Sequence, residues 1–485
     1  MVKLNYFTRI VLTMVLFLGV AKVSAHDFEI DGIYYSFNDD GTTVSVASPG
    51  EGSEEYSGAV IIPSSVIFSE KTYSVVAIDA WAFFWCENLT SVVIPNSVTA
   101  IGDMAFYQCE RLESIEIPNT VRTIGDSAFE GCYSLSTLEI PNSVTTIGDK
   151  AFYWCYGLNS ISIGDSVTRI GDSAFFGCRN LTSVKIPNSV TLIEDGAFAQ
   201  CINLESIIVG NNNTVYDSRD NCNAIIETSS NTLITGCNST VIPNSVSSIA
   251  KWAFNGCVGL KSIEISNAIT SIRKLAFMDC YNLETILVAS GNKKYDSRDN
   301  CNAIIETSSN TLITGCKNTA IPNSVTSISE CAFYGSSLLT SIVIPNSVTS
   351  IGYDAFFSCK SLMSLTSCNS TPPSVSSSNV FKGVPEDCML YVPDGSIGAY
   401  SAAEGWSRFT NIRELPAGVE GVAVDDVMVR GENGVIRIEG ADGAAVEVFN
   451  ASGVCVFSGV ATEIPVAQRG IYVVKVAGRA TKIAL

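Results

Sequence analysis

Any chemistry in this chain would have to come from thiols, carboxylates or aromatic rings, because its 17 cysteines and 48 acidic side chains are accompanied by a single histidine, His26. One imidazole near the start leaves every deeper position without the usual general base and the usual nitrogen ligand for a metal. Cys86, Cys109, Cys132, Cys155, Cys178, Cys201, Cys257, Cys280 and Cys359 each stand three residues after a phenylalanine. A position that recurs in this way reads as a column of small buried hydrophobes. The sequence has no Cys-x-x-Cys pair, so the usual spacing of a zinc site is missing. Cys222 and Cys237 are symmetric about Ser229-Ser230, and Cys301 and Cys316 about Ser308-Ser309. A hairpin that sets Ile226 opposite Leu233 would bring each pair together, as a disulfide or as two adjacent free thiols.

The carboxylates invite a glycosidase-like pair. Asp103, Asp126, Asp149 and Asp172 all follow Ile-Gly, however, where an aspartate would cap the N-terminus of a short helix. A catalytic pair needs two different environments, and a repeated column offers one environment many times. The aromatics Trp81, Phe84, Trp85, Tyr107, Tyr153, Trp154, Tyr156 and Phe176 gather in the N-terminal half. They could bind sugar rings, or simply pack between adjacent turns of the chain. No enzyme, cofactor or metal is expected from these residues.

The elements that position them come from a strict period. Phe83, Phe106, Phe129, Phe152, Phe175 and Phe198 lie 23 residues apart, each after an alanine, and Phe254, Phe277, Phe333 and Phe356 continue the series after two longer intervals. Each longer interval holds the same insertion, YDSRDNCNAIIETSSNTLITGC, at Tyr216–Cys237 and again at Tyr295–Cys316. Within the unit Leu135–Cys155, Leu138 and Ile140 alternate with Thr137 and Glu139 as in a strand with one buried face. Pro141-Asn142-Ser143 breaks that strand, Val144 and Ile147-Gly148 form a second short extended piece, and Ala151, Phe152, Cys155 and Leu158 suggest one face of a short helix or helical turn. Each unit is one coil of a solenoid. A lone coil cannot repay the backbone entropy of its own ordering, so coils must stack and the ends must be capped. Stacking ten coils at about 4.8 Å would give a continuous sheet about 50 Å long.

The expected fold is mainly β with short helical turns: a leucine-rich-repeat solenoid of 23-residue coils plus a small C-terminal β-sandwich. Residues 1–25 read as an export signal, with Lys3 and Arg9 before an apolar run at Ile10–Ala21 and small residues at Val23-Ser24-Ala25. That run is short for a membrane span. Residues 26–78 form an N-terminal β cap with a degenerate first repeat, 79–367 the solenoid with hairpin insertions at 210–240 and 289–319, 368–415 a closing repeat and cap plugged by Trp406, and 416–485 the sandwich. The net charge of −19 repels phosphate backbones and anionic headgroups, which argues against nucleic acid and membrane partners.

The quoted unit closely resembles the BspA-like, Treponema-type leucine-rich repeats, LxxIxIPxxVxxIGxxAFxxC, over roughly Ala59–Cys368. Ser336 stands where that pattern has cysteine, and Ser367-Cys368 where it has Ile-Pro, which marks the end of the array. VEVFNASG at 446–453 and GIYVVKVAGRATKIAL at 470–485 resemble the sorting domains of type IX secretion. The first resemblance implies a secreted or cell-surface protein that binds an extracellular protein, from host matrix or another cell, with a glycan as the alternative. The candidate contact residues occupy the outward position between each buried strand pair: Val93, Glu116, Glu139, Ser162, Lys185, Ile208, Glu264, Leu287 and Val343. That column mixes acids, a lysine and aliphatics, whereas the outward position before it holds only serine or threonine.

Overall fold

The computed structural model describes residues 26–50, 55–415 and, towards the C-terminus, 428–432, 435–439, 445–450, 455–466, 471–476 and 479–484. The expected export signal, 1–25, lies outside the described residues, as do parts of both C-terminal motifs. The chain divides into two units, Met1–Ser218 and Arg219–Leu485.

The first unit opens with β1 (Phe28–Ile30), β2 (Ile33–Phe37) and β3 (Thr43–Val46), an antiparallel meander. β4 (Gly58–Ile61) starts the column of first strands, and β5 (Ser65–Phe68) forms a hairpin with β6 (Lys71–Ile78). β3 lies parallel to β6 and joins the meander to the coils. Each coil then repeats one path. In a representative coil, Thr137–Ile140 is the first strand, the Val144 amide closes a turn on Pro141 O, and Thr146–Ile147 is the second strand.

The continuous ladder differs from the one expected. It runs from the end of β6 through the second strands, each two residues long, with Ile78, Ile101, Ile124, Ile147, Ile170 and Ile193 in register and parallel. The longer first strands form only short ladders, Gly58–Ile61 with Leu89–Val93 and Ser114–Glu116, Thr137–Ile140 with Ser160–Ile163, and Ser183–Ile186 with Ser206–Val209. Between the two columns the phenylalanines stack with ring centroids 4.9 to 5.3 Å apart, their planes nearly parallel from Phe83 to Phe198.

The short helix or helical turn expected here takes the second form, as two interlocked turns. Lys150 and Trp154 adopt φ of 55° and 60°, a left-handed conformation that ends a helix within one residue. The amides of Ala151, Tyr153 and Cys155 close turns on Gly148, Lys150 and Phe152, while those of Lys150, Phe152 and Trp154 donate to Asp172, Ala174 and Phe176 of the next coil. Half of the amides thus stay within the coil and half link it to its neighbour. Gly148 is needed here because a Cβ would sit 2.5 Å from Gly125 C and 2.7 Å from Asp126 N.

In the second unit both insertions are hairpins, Ile225–Glu227 with Thr232–Thr235 and Ala303–Glu306 with Thr311–Gly315, and Ile226 faces Leu233 as the symmetry suggested. Each return strand takes the place of a coil's second strand and pairs in parallel with Ser248–Ile249 or Ser327–Ile328. The stack closes with Phe333, Phe356, Phe381 and then Trp406, whose fully buried indole donates to Pro373 O at 2.9 Å. Ile397–Ala402 (α1) is the one α-helix among the described residues. Its Tyr400 packs edge-on against Trp406 and bonds the Ser367 hydroxyl at 2.6 Å. The last strands form two antiparallel sheets around one apolar core that includes Ile436, Ile438, Ile464, Val448 and Val474.

Candidate binding surface

Strand alternation delivers the outward column. In the first unit Val93, Glu116, Glu139, Ser162, Lys185 and Ile208 are exposed, with Val93 opposite Glu116, Glu139 opposite Ser162 and Lys185 opposite Ile208. In the second unit Glu264 lies opposite Leu287 and Val343 opposite Thr366. The aliphatic members stay about half exposed: Val93 55%, Ile208 54%, Leu287 51% and Val343 49%. Holding such side chains in water at one fixed position forgoes the burial that holds the rest of the coil together.

The register adds residues that sequence reasoning missed. Ile61, 71% exposed, pairs with Val93 and begins the column, while Tyr391 and Arg413 extend it beyond Thr366. Their signal was present in the alternation of Leu390 and Val392, but the unequal spacing of the end coils hid it from a search at 23 residues.

The aspartate column has a different job from the one expected. Oδ1 of Asp103 accepts from the Asp126 amide at 2.8 Å, Asp126 from Asp149 at 2.8 Å, and Asp149 from Asp172 at 3.0 Å. Without a helix to cap, each carboxylate binds the backbone of the next coil. The cysteine column is buried, and most of its thiols point to the phenylalanine carbonyl one coil back, as in Cys132 to Phe106 at 3.2 Å and Cys155 to Phe129 at 3.2 Å. Burial pushes the Cys132 and Cys155 thiols well above their ordinary value, which suppresses the reactive thiolate.

The hairpin cysteines do not bridge, and the reason lies in the register. A bulge between Ile225 and Ile226, repeated between Ile304 and Ile305, shifts the pairing by one residue so that the cysteines no longer face each other. Cys237, Cys301 and Cys316 are free thiols. The Cys237 sulfur lies 3.3 Å from Asn223 O, and Cys316 lies 3.4 Å from Asn302 O.

Most of the aromatic cluster is spent on packing. Phe84 stacks on Tyr107 at 5.1 Å, Tyr153 on Phe176 at 4.8 Å and Tyr133 on Tyr156 at 5.1 Å, with Arg179 over the Tyr156 ring. Only Trp85 and Trp154 of the eight candidates are exposed. Glu130 occupies the same coil position as Tyr107 and Tyr153. Burial raises its carboxyl above the usual range, against the Ser127 hydroxyl that donates to it at 2.7 Å. His26 packs at a tilt against the Tyr34 ring, with its Nδ1 3.2 Å from Ser48 O. Among the described residues no group of three or more His, Cys, Asp or Glu could hold a metal ion, and no helix is long and apolar enough to cross a membrane.

Four segments, 76–205, 145–235, 231–304 and 305–384, match the family model described as the BspA type leucine rich repeat region, and together they span more than half of the chain. This chain belongs to the BspA-type leucine-rich-repeat family. Among solved structures of such repeats, a leucine-rich cell surface protein from Faecalibacterium prausnitzii is 29% identical over 72% of this chain and 96% of its own, with a TM-score of 0.53. A leucine-rich-repeat protein from Bacteroides ovatus is 26% identical over 80% of this chain and all of its own, at a TM-score of 0.44. No curated protein matches the sequence. The BspA-type coil accounts for the stacked phenylalanines, the cysteine column and the paired strands. It assigns no role to the outward residues.

Proposed function

We propose that this BspA-type protein is exported, displayed at the cell surface and used as a scaffold that binds an extracellular protein through the outward column of its first strands. The observation that carries the reading is the column itself: Val93, Ile208, Leu287 and Val343 are half-exposed aliphatics at one coil position, interleaved with Glu116, Glu139, Lys185 and Glu264. Aliphatic side chains that the coil holds out of its own core are free to bury against a partner, and the charges beside them would select and orient it. Residues 1–25 serve as the export signal in this reading, and 416–485 as a type IX sorting module. The Faecalibacterium relative, described as a cell surface protein, supports the location.

The test is capture of partners from host matrix and neighbouring cells by the full chain. Glu116→Lys with Glu139→Lys, and separately Ile208→Ser with Leu287→Ser, should leave folding intact and weaken capture about tenfold. Undiminished capture by both variants would move the site off the column. A second reading, glycan binding, rests on the exposed rings of Trp85 and Trp154. It predicts that alanine at those two positions, and not the column variants, abolishes binding on a glycan array.

A further inference from the structure

The hairpin insertions leave a gap in the column of first strands. In regular coils nine residues run from the repeat cysteine to the closing proline, as from Cys178 to Pro187, whereas Cys237 to Pro243 spans only six. The shortened segment cannot form its strand, and Ser262–Ile265 pairs on one side only, with Thr285–Val288.

The groups exposed by this gap can be named. Thr285 and Ala289 amides donate to Lys261 O and Ile265 O, so Lys261, Ile263 and Ile265 direct their backbone groups to the following coil. Alternation along a strand turns those of Ser262, Glu264 and Ser266 the other way, towards Asn238–Ile242. At the position of Ser266, the amides of Gly210, Ala289 and Cys368 donate to Ile186, Ile265 and Ile344 of the preceding coil. Among the described residues the Ser266 amide finds no such acceptor. Its hydroxyl is also buried without a partner in a residue only 7% exposed. Between this edge and the shortened segment lies an open groove of about 590 Å³, which Ser262, Glu264 and Ser266 line with Val241.

We infer that this groove receives an extended peptide from another protein, which adds a parallel strand to the free edge of Ser262–Ile265. Only a polypeptide backbone offers donors and acceptors repeating every second residue to match those of Ser262 and Glu264. Ser266 supplies an extra amide and hydroxyl at the far end, where Pro345 of the equivalent edge Ser341–Ile344 has neither. The residue opposite Glu264 points outward beside its carboxylate, so the peptide carries lysine or arginine there. Glu264 is shared with the outward column, but the backbone edge and Ser266 are not, so Ser266→Pro tests this site without touching the column.

The probe is the amidated pentapeptide Thr-Ser-Val-Lys-Ile, the chain's own strand sequence at 182–186, with fluorescein on its N-terminus, held at fixed concentration while the full chain is titrated in and anisotropy is followed, with hydrogen exchange read at single residues. Binding should protect the amides of Ser262, Glu264 and Ser266, and methylation of alternate peptide amides should abolish it. Ser266→Pro restores the residue found at this position in most coils and should weaken binding about fivefold. Glu264→Lys should weaken it by about the same factor and transfer the preference to a peptide with glutamate in place of lysine. Absence of binding, protection that misses these three amides, or unchanged affinity in both variants would overturn the inference. So would protection that grows with protein concentration alone, because the occupant would then be a second copy of this chain.

Discussion

In the regular coil at 135–155 the backbone is satisfied by the neighbouring coils: the amides of Lys150, Phe152 and Trp154 donate to the next coil and Gly148 to the one before. In the hairpin coil at 295–316 side chains take on part of this work, one reaching the coil before and one acting beside the hairpin. The Tyr295 hydroxyl accepts the Ile272 amide at 2.9 Å, while Thr319 accepts from the Cys316 amide at 2.7 Å and donates to Asn302 O at 2.7 Å. Tyr216 repeats the first arrangement by accepting from the Ile193 amide at 3.0 Å. The regular coil therefore depends on its neighbours for stability, whereas the hairpin coil carries more of its own. Damage should spread from the first and remain local in the second.

The largest expected effect is on the aromatic stack. Phe152 is fully buried between Phe129 and Phe175, with centroids at 5.1 and 5.2 Å. Phe152→Ala should cost about 3–5 kcal/mol in denaturant unfolding and raise hydrogen exchange in the coils on both sides. Faster exchange confined to one coil would break the comparison. Tyr295→Phe should cost less, about 1–3 kcal/mol for an orphaned amide, and raise exchange only at Ile272 and in the hairpin at 303–315.

The cysteine column sharpens the same contrast through pH. Burial pushes the Cys86 thiol up to about 12 and the Cys301 thiol up to about 11, from an ordinary value near 9. Above pH 9 the unfolded chain gives up these protons while the folded chain keeps them. Stability is therefore complete below pH 9 and declines from there towards pH 11 to 12, by roughly 1.4 kcal/mol per pH unit for each such thiol. Cys132→Ala with Cys155→Ala should cost on the order of 1 kcal/mol each at pH 7 and flatten the alkaline decline. Unfolding midpoints between pH 8 and 11 provide the check. An equally steep decline in the double variant would show that other groups, such as the buried tyrosines, set it.

Much of this contrast was legible before the structure. The 23-residue period, the buried strand pairs and the Ile226–Leu233 hairpin follow from alternation and symmetry, because side chains on a strand have no freedom to choose a face. The outward column was legible for the same reason, except at Ile61, Tyr391 and Arg413, where the spacing changes. The double turn was not, because Ala151, Phe152, Cys155 and Leu158 carry helical spacing while the chain reverses hand at Lys150 and Trp154. The glycines at 131, 177, 256 and 335, all with positive φ at the position of Trp154, were the available sign. The single-residue bulge that separates the hairpin cysteines leaves no mark in composition, and neither does the contact of each aspartate with the coil beyond it.

That last contact yields the smallest effect and the most specific prediction. Asp126 binds the Asp149 amide through one oxygen and stands in a file with Asp103 and Asp149, so hydrogen bonding and like-charge repulsion oppose each other at the same side chain. Asp126→Asn keeps a carbonyl oxygen for the amide and removes the charge. It should therefore leave stability within about 0.5 kcal/mol of the parent, on the stabilising side at low salt, with the advantage fading as salt screens the file. Asp126→Ala loses the acceptor and should cost about 0.5–1.5 kcal/mol at any salt concentration. Unfolding of the two variants at low and high salt separates the terms. If asparagine proved as costly as alanine, the carboxylate charge itself would be holding the coils together, and the regular region would owe more to electrostatics than its packing suggests.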